Sequence, residues 1–293
     1  MLLYPVRAET QLEMKTWEYE LPRGRTLLLG TRALIMGILN ITQDSFYSAS
    51  RVVDEKELIS KAGVMLEEGA DILDLGAEST RPGAVATGAE DERRIIPAIK
   101  TLRKEFPEAI ISVDTMKPDI ALSAAEAGAD IINNVGSEPA MGEAALKTGL
   151  PLVVTHCENL PSSERSGIVS SVKNNLASRL SILQRQGVKK LIVDPGIGFG
   201  NGKYGNANMA LLESIGSLRS FGLPILVGHS RKSFLNIEHK GVKIAQKPED
   251  RLPGTLAISA LLASSLAHVE IIRVHDVFEN VYAVRTAEIF CER

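Results

Sequence analysis

Residues 191–200 read LIVDPGIGFG. A short apolar run, Leu191-Ile192-Val193, stops at the carboxylate of Asp194, and a proline and three glycines follow. This is the pattern of a buried parallel strand with a polar last residue, running into a tight loop. The design recurs at residues 71–76, DILDLG, which carry Asp74, and at residues 110–115, IISVDT, which carry Asp114. One such aspartate is ordinarily a loop starter or a helix cap, and G-x-G-x-G by itself is a common turn. A carboxylate ending an apolar strand is costly to bury without a partner or a ligand. Its repetition along the chain points to strand ends that converge on one site.

Working outward, apolar strands are expected near residues 33–39, 71–75, 110–114, 129–133, 151–155, 190–194, 224–228 and 270–274. Helical spacing fills the intervals at 58–68, 95–106, 120–127, 141–148, 172–186, 208–221 and 256–267, and a last helix covers 277–290. Glycines at 69, 128, 149, 187 and 222 stand just past five of these helices, where a left-handed stop is favoured. Strand–helix alternation predicts a parallel sheet, and eight such units predict an α/β fold of the (β/α)8 barrel type. A doubly wound open sheet is the alternative. Residues 1–30 stand apart: Trp17, Tyr19 and Leu21 alternate, Pro22-Arg23-Gly24 turns, and Thr26-Leu27-Leu28-Leu29 returns. They read as an N-terminal β-hairpin extension that plugs the N-terminal end of a single barrel domain, residues 31–293.

The chain has 293 residues, 44% hydrophobic and 24% charged, with a net charge of −3, so no basic field for nucleic acid is evident. Its two cysteines, Cys157 and Cys291, are far apart and form no CxxC, which argues for a reducing compartment and against a zinc cluster. The first ten residues carry no sustained apolar run, and the richest apolar stretch, 256–267, is too short and serine-dotted to span a bilayer. A cytoplasmic location is expected.

In a (β/α)8 barrel, chemistry sits at the C-terminal ends of the strands. Those ends offer Asn40, Asp74, Asp114, Asn133, His156, Asp194, the Ser230-Arg231-Lys232-Ser233 loop, and Arg273 with His275. Asp114, Asn133 and Asp194 together suit a flat nitrogen heterocycle, because carboxylates accept from ring and exocyclic N–H groups while an amide both donates and accepts. Arg273-Val274-His275 puts two polar side chains on one side of a strand, an arrangement suited to a diphosphate. A structural ion pair of Arg273 with Asp276 or a neighbour is the plain alternative. Lys232 faces the same mouth, although a basic loop is as often a solvated surface. Two long loops, residues 42–53 and 78–88, have the composition of mobile lids or of idle connections.

The segments GILNITQDSF, ESTRPGA, SVDT, IINN, DPGIGFG, GHSRKSF and RVHDV, in this order from about residue 35 to the C-terminus, resemble dihydropteroate synthase. The resemblance implies a (β/α)8 barrel that joins 6-hydroxymethyl-7,8-dihydropterin diphosphate to 4-aminobenzoate, a step of folate biosynthesis and a sulfonamide target. It implies Mg²⁺ as cofactor, small-molecule substrates, no nucleic acid or membrane partner, and a homodimer. By position, Asp114, Asn133, Asp194 and Lys232 would hold the pterin. Asn40, Arg273 and His275 would hold the diphosphate, with the metal near Asn40. Thr80, Arg81, Pro82, Phe199 and Ser233 would shape the 4-aminobenzoate site. Asp114, Lys232, Arg273 and His275 would be catalytic, and the reaction would resemble an SN1 displacement. The chain departs from the family pattern at Gln43, where a proline is usual, at Ser48, where an aspartate is usual, at Asn134, and at Thr155-His156-Cys157, where a Met-His-Met-like run is usual. Two other readings remain open: a pterin-binding paralogue without synthase activity, and a corrinoid-dependent pterin methyltransferase. Arg273-x-His275 weighs against the latter, since a methyl-pterin brings no diphosphate.

Overall fold

The computed structural model describes residues 15–41, 51–77, 88–134, 139–159, 165–199, 205–239, 242–264 and 267–291. The chain opens with an antiparallel hairpin, β1 (Trp17–Glu20) and β2 (Thr26–Leu29). Alternation then begins with β3 (Leu34–Ile41), α1 (Arg51–Glu67), β4 (Ile72–Ala77), α2 (Gly88–Glu105), β5 (Ile110–Asp114), α3 (Pro118–Ala127), β6 (Ile131–Asn134) and α4 (Ala140–Thr148). It continues with β7 (Leu152–Thr155), α5 (Arg165–Gln186), β8 (Leu191–Asp194), α6 (Gly205–Glu213) and β9 (Leu226–Val227). A second small hairpin, β10 (Ile237–His239) and β11 (Val242–Ile244), precedes α7 (Leu252–Ala263), β12 (Ile271–Val274) and α8 (Val277–Cys291).

Eight of these strands form one parallel sheet in the order β8-β7-β6-β5-β4-β3-β12-β9. An isolated parallel bridge, Val193 to Ile225, joins its two ends and completes the ring. The strands are near-continuous apolar runs because both their faces are covered. Alternate residues, such as Ile35, Leu73, Ile111, Ile132, Leu152, Leu191, Val227 and Ile272, belong to the core shared with the helices. Their neighbours Leu34, Met36, Ile72, Ile131, Val153, Ile192, Leu226 and Ile271 form a separate cluster with Tyr19, Leu21, Leu27 and Leu29 of the hairpin. The hairpin therefore covers the N-terminal end of the barrel, as its alternating pattern predicts. A buried carboxylate anchors it there. Asp130 accepts from Arg23 at 2.7 Å, from Arg103 at 2.6 Å and from Arg25, and also takes the backbone N–H of Ile111 at 2.9 Å.

The period of two explains the opposite end as well. Two residues beyond the inward apolar layer come Ile38, Asp74, Ser112, Asn133, Thr155, Asp194, Gly228 and Arg273, and one step further Asn40, Gly76, Asp114 and His275. At the second layer the inward face has changed from apolar to polar on six of the eight strands, Ile38 and Gly228 being the exceptions, so the barrel is sealed below and polar above. The helix stops are local: Gly149 adopts φ +70 and donates its N–H to Ala145 O at 2.8 Å, a conformation that costs glycine little.

Four expectations need correction. The helix expected at 208–221 divides: α6 ends at Glu213, and a 3-10 helix covers Ile215–Phe221. Gly216 weakens the helix there by about 1 kcal/mol relative to alanine, and Ser217 donates to Ser214 O in a tighter turn. The strand expected at 224–228 is a ladder only over Leu226–Val227, with Ile225 in an isolated bridge to Val193, since Pro224 has no N–H to give to a ladder. The hairpin β10–β11 was not expected, although IEHKGVKI has the signature of two short runs separated by a Lys-Gly turn. The loop 42–53 is also shorter, because α1 already begins at Arg51.

Candidate active site

At the C-terminal mouth a small cavity is lined by Asp114, Asn133, Thr155, Asp194, Phe199, Gly228, Lys232 and Arg273. The guanidinium of Arg273 crosses it. Its Nε donates to Asp74 Oδ2 at 2.6 Å and its Nη2 to Asp114 Oδ2 at 2.8 Å. Asn133 Nδ2 lies 3.3 Å from the same Asp74 oxygen. Asp74 is fully buried and Asp114 nearly so, yet Asp114 Oδ1 has no hydrogen-bond partner among the described residues. Burial pushes the Asp114 carboxyl up to about 7; Asp74 and Asp194 add to the rise, while Arg273 and Lys232 oppose it. The same carboxylates, against desolvation, hold Arg273 above its ordinary value. Asp194 takes the backbone N–H of Gly196 at 2.7 Å on one oxygen and faces Thr155 Oγ1 at 3.5 Å with the other. The Thr155 carbonyl is in turn held by Arg179 of α5 at 2.6 Å.

Lys232 closes another wall. Its ammonium lies 4.1 Å from the centroid of the Phe199 ring and donates to Ile197 O. The turn that presents Phe199 depends on Gly198, which adopts φ +75; a Cβ there would stand 2.7 Å from Lys232 Cδ. At the rim, Ser230 Oγ lies 2.9 Å from His275 Nδ1. Arg231 makes a two-pronged pair with Asp276, at 2.7 and 2.6 Å. Desolvation, then Arg273, push His275 down to about 4; Asp276 pulls the other way, and Arg231 and Lys232 lower it further.

The structure thus brings together Asp114, Asn133, Asp194, Phe199, Lys232 and Arg273. His275 and Ser233 are exposed at the rim, and Asn40 is exposed near the end of β3. Thr80, Arg81 and Pro82, with Gln43 and Ser48 of the first loop, lie outside the described residues. Of the alternative structural pairings of Arg273, that with Asp276 does not occur, since Asp276 is taken by Arg231, whereas ion pairs with Asp74 and Asp114 do. Nor does Arg273 stand as a free cation beside His275: two of its donors are committed inward to Asp74 and Asp114. His156 is fully buried against Asn175 of α5, 3.2 Å away, and does not line the cavity. Reasoning from motifs missed the positions of Thr155 and Gly228 and the part that Asp74 plays in orienting Arg273. Stepping by two from the inward apolar layer finds all three.

The sequence profile of the pterin-binding enzyme family matches residues 36–275. The dihydropteroate synthase of Escherichia coli K12 is 38% identical over 264 residues, covering 87% of this chain and 90% of that protein. The chain belongs to the dihydropteroate synthase family. The synthase of Clostridium beijerinckii is 35% identical over 271 residues, 90% of this chain and 97% of its own. Among solved structures, the Yersinia pestis synthase with a bound sulfonamide drug superposes with a TM-score of 0.79 at 35% identity, covering 94% of this chain and 98% of the other. The Xanthomonas albilineans synthase with 4-aminobenzoic acid gives 0.80 at 33% identity and the same coverage. These likenesses agree with the eight-stranded barrel.

Proposed function

We propose that the chain is a working dihydropteroate synthase of folate biosynthesis, a transferase that joins 6-hydroxymethyl-7,8-dihydropterin diphosphate to 4-aminobenzoate with release of diphosphate. The observation that carries this reading is the buried, unpartnered Oδ1 of Asp114 in a cavity that also holds Asn133, Asp194 and Lys232. A buried acceptor without a donor is costly, and ring and exocyclic N–H groups of a pterin would satisfy it. Asp194 and Asn133 would take the remaining polar edge. Lys232 and Phe199 would flank the ring, with Phe199 reaching toward the acceptor. A site built on such bonds discriminates against analogues that cannot make them.

In the reaction the C–O bond to the diphosphate breaks, the amine nitrogen forms the new C–N bond, and the amine loses a proton. Charge stabilisation and exclusion of water matter more here than a general base. Arg273 and His275 would meet the leaving group, Arg273 through the edge it does not give to Asp74 and Asp114. Thr80, Arg81, Pro82 and Ser233 would complete the acceptor site. Mg²⁺ fits as an ion carried largely by the substrate: among the described residues no group of three His, Cys, Asp or Glu side chains is placed to hold a metal ion, and Mg²⁺ commonly takes one or two protein ligands together with phosphate oxygens and water. Asn40 would supply its amide oxygen, and the bound ion would neutralise charge on the departing diphosphate.

A homodimer is part of the proposal. Leu261 of α7 and Phe278, Tyr282 and Ile289 of α8 are all more than half exposed, and the three on α8 share one helical face. Among the described residues no helix is long and apolar enough to cross a membrane, consistent with a cytoplasmic location.

A diphosphate-release assay with and without 4-aminobenzoate tests the function. Acceptor-dependent release is expected. Pterin binding without release would instead mark a non-synthase paralogue, and methyl transfer from a methyl-pterin would mark the methyltransferase alternative.

A further inference from the structure

The strand ends of β9 and β12 are neighbours in the ring, and the residues just beyond them are stitched together. Arg231 grips Asp276 with two donors, and its own N–H is held by Thr255 Oγ1 at 3.0 Å. Arg231 adopts φ +54, a strained backbone for a residue with a Cβ, which the ion pair holds in place. The stitch fixes the spacing between Ser230 and His275. Ser230 is buried, with 4% of its surface exposed. Its Oγ accepts the backbone N–H of His275 at 3.2 Å and also lies 2.9 Å from the ring Nδ1 of the same histidine.

Proton counting at this oxygen decides the histidine's form. A hydroxyl has one proton to give and two lone pairs. One lone pair receives the His275 backbone N–H. If Nδ1 also carried a proton, two donors would converge on Oγ and the hydroxyl proton would be buried with no acceptor among the described residues. That penalty decides between two tautomers otherwise close in energy. If the hydroxyl donates to Nδ1, every group is satisfied and the ring proton sits on Nε2. The Nε2 edge has no hydrogen-bond partner among the described residues, and His275 is exposed at the mouth.

We propose that Ser230 is a positioning residue that fixes His275 as its Nε2–H tautomer, so that the imidazole donates a hydrogen bond to the departing diphosphate. The inference rests on the reading of His275 as part of the diphosphate seat. The ring is neutral near pH 7, because desolvation and then Arg273 hold it well below its ordinary value. Its tautomer is therefore a defined property. With Nδ1–H instead, Nε2 would present a lone pair to an anion, and the contact would become repulsive.

The test is nitrogen-15 NMR of the full-length protein labelled at histidine, with His275 assigned through His275→Gln. At pH 7.5 the unmodified protein should show a protonated Nε2 and an unprotonated Nδ1 for His275. Adding inorganic diphosphate in magnesium buffer should shift the Nε2 signal. Ser230→Ala should give a tautomer mixture and weaken diphosphate binding by the factor by which the Nε2–H fraction falls, about twofold for an even mixture, whereas Ser230→Thr should retain both properties. His275 signals that ignore diphosphate in the unmodified protein would overturn the diphosphate-seat reading on which the inference stands. Signals that respond to diphosphate but show Nδ1–H would overturn the role of Ser230 alone. The same holds if Ser230→Ala leaves tautomer and affinity unchanged.

Discussion

Asp114 should be a residue whose loss of charge stabilises the fold while destroying the site. Asp74, Asp114 and Asp194 face Arg273 and Lys232, so one negative charge is in excess, and Asp114 is pushed to about 7 with burial as the largest cause. The interval from its ordinary 3.8 corresponds to a cost of about 4 kcal/mol, at 1.36 kcal/mol for each pH unit. The sign follows from the two states. Above pH 7 the carboxylate is ionised both folded and unfolded, and the folded state bears the full penalty. Between pH 7 and 4 the folded state takes up a proton that the unfolded state does not, and the penalty shrinks. Below pH 4 both states are protonated and it disappears. Asp114→Asn keeps the shape, still accepts from Arg273 Nη2 through its carbonyl oxygen, and removes the charge. It should raise unfolding free energy at pH 9 by up to about 4 kcal/mol, with the gain fading toward pH 4. Urea denaturation of both proteins at pH 5, 7 and 9 measures this. The same substitution replaces an acceptor with a donor where the pterin is proposed to donate, so calorimetry with 6-hydroxymethylpterin should show at least a roughly tenfold loss of affinity. A substitution that destabilises equally at all three pH values would refute the electrostatic reasoning, and undiminished pterin affinity would refute the assignment of Oδ1.

Gly198→Ala must place a Cβ 2.7 Å from Lys232 Cδ at a φ of +75, so it should displace Lys232 and weaken pterin binding several-fold; unchanged affinity would show that the ammonium's position is immaterial. Asp130→Ala leaves Arg23, Arg25 and Arg103 without their shared carboxylate, at a cost of about 3–5 kcal/mol. It should lower the melting temperature with little change in kcat, because Asp130 lies at the opposite end of the barrel; an equal loss of kcat at a permissive temperature would contradict that separation. Arg273→Ala removes the strut between two buried carboxylates and should weaken both pterin and diphosphate binding. Loss confined to diphosphate would mean that Asp114 is positioned without it. Ser48→Asp should lower KM for 4-aminobenzoate by restoring a charge-assisted partner for Arg81, and the effect should vanish in an Arg81→Ala background; absence of coupling in that cycle would assign the loop's task to another residue.

The barrel was legible because each strand is an apolar run ending in a polar residue and most helices end on a glycine, so fold and mouth could be located together. The hairpin was legible for the same reason: Tyr19 and Leu21 alternate with exposed neighbours and could only face the barrel floor. What escaped was set by tertiary pairing. The sequence places Arg273 next to His275 and Asp276, and nothing local indicates that its guanidinium turns across the barrel to Asp74, 199 residues away. Likewise the pairing of Arg231 with Asp276 and of Ser230 with His275 depends on β9 and β12 being neighbours in the ring. The break between α6 and the 3-10 helix at Ile215–Phe221 was hidden because apolar spacing continues through it and only Gly216 marks the change.

Burial, with Asp74 and Asp194 adding to it, opposes ionisation of Asp114, and this has a use in the proposed chemistry. A neutral pterin relieves part of that cost through its N–H groups, and a pterin whose exocyclic carbon becomes cationic as diphosphate leaves relieves more. Interactions stronger in the transition state than in the ground state are those that raise the rate, and fixed charges in a dry cavity supply them without reorganisation. Arg273 is the joint in this arrangement. It holds Asp74 and Asp114 in place through Nε and Nη2, and its remaining donors would meet the proposed leaving group. As positive charge appears on the ring it would draw on the same two aspartates and loosen their hold on Arg273, leaving the guanidinium freer to neutralise the departing diphosphate. Binding of the leaving group and stabilisation of the cation it leaves behind would then be coupled through the pairing of Arg273 with these carboxylates.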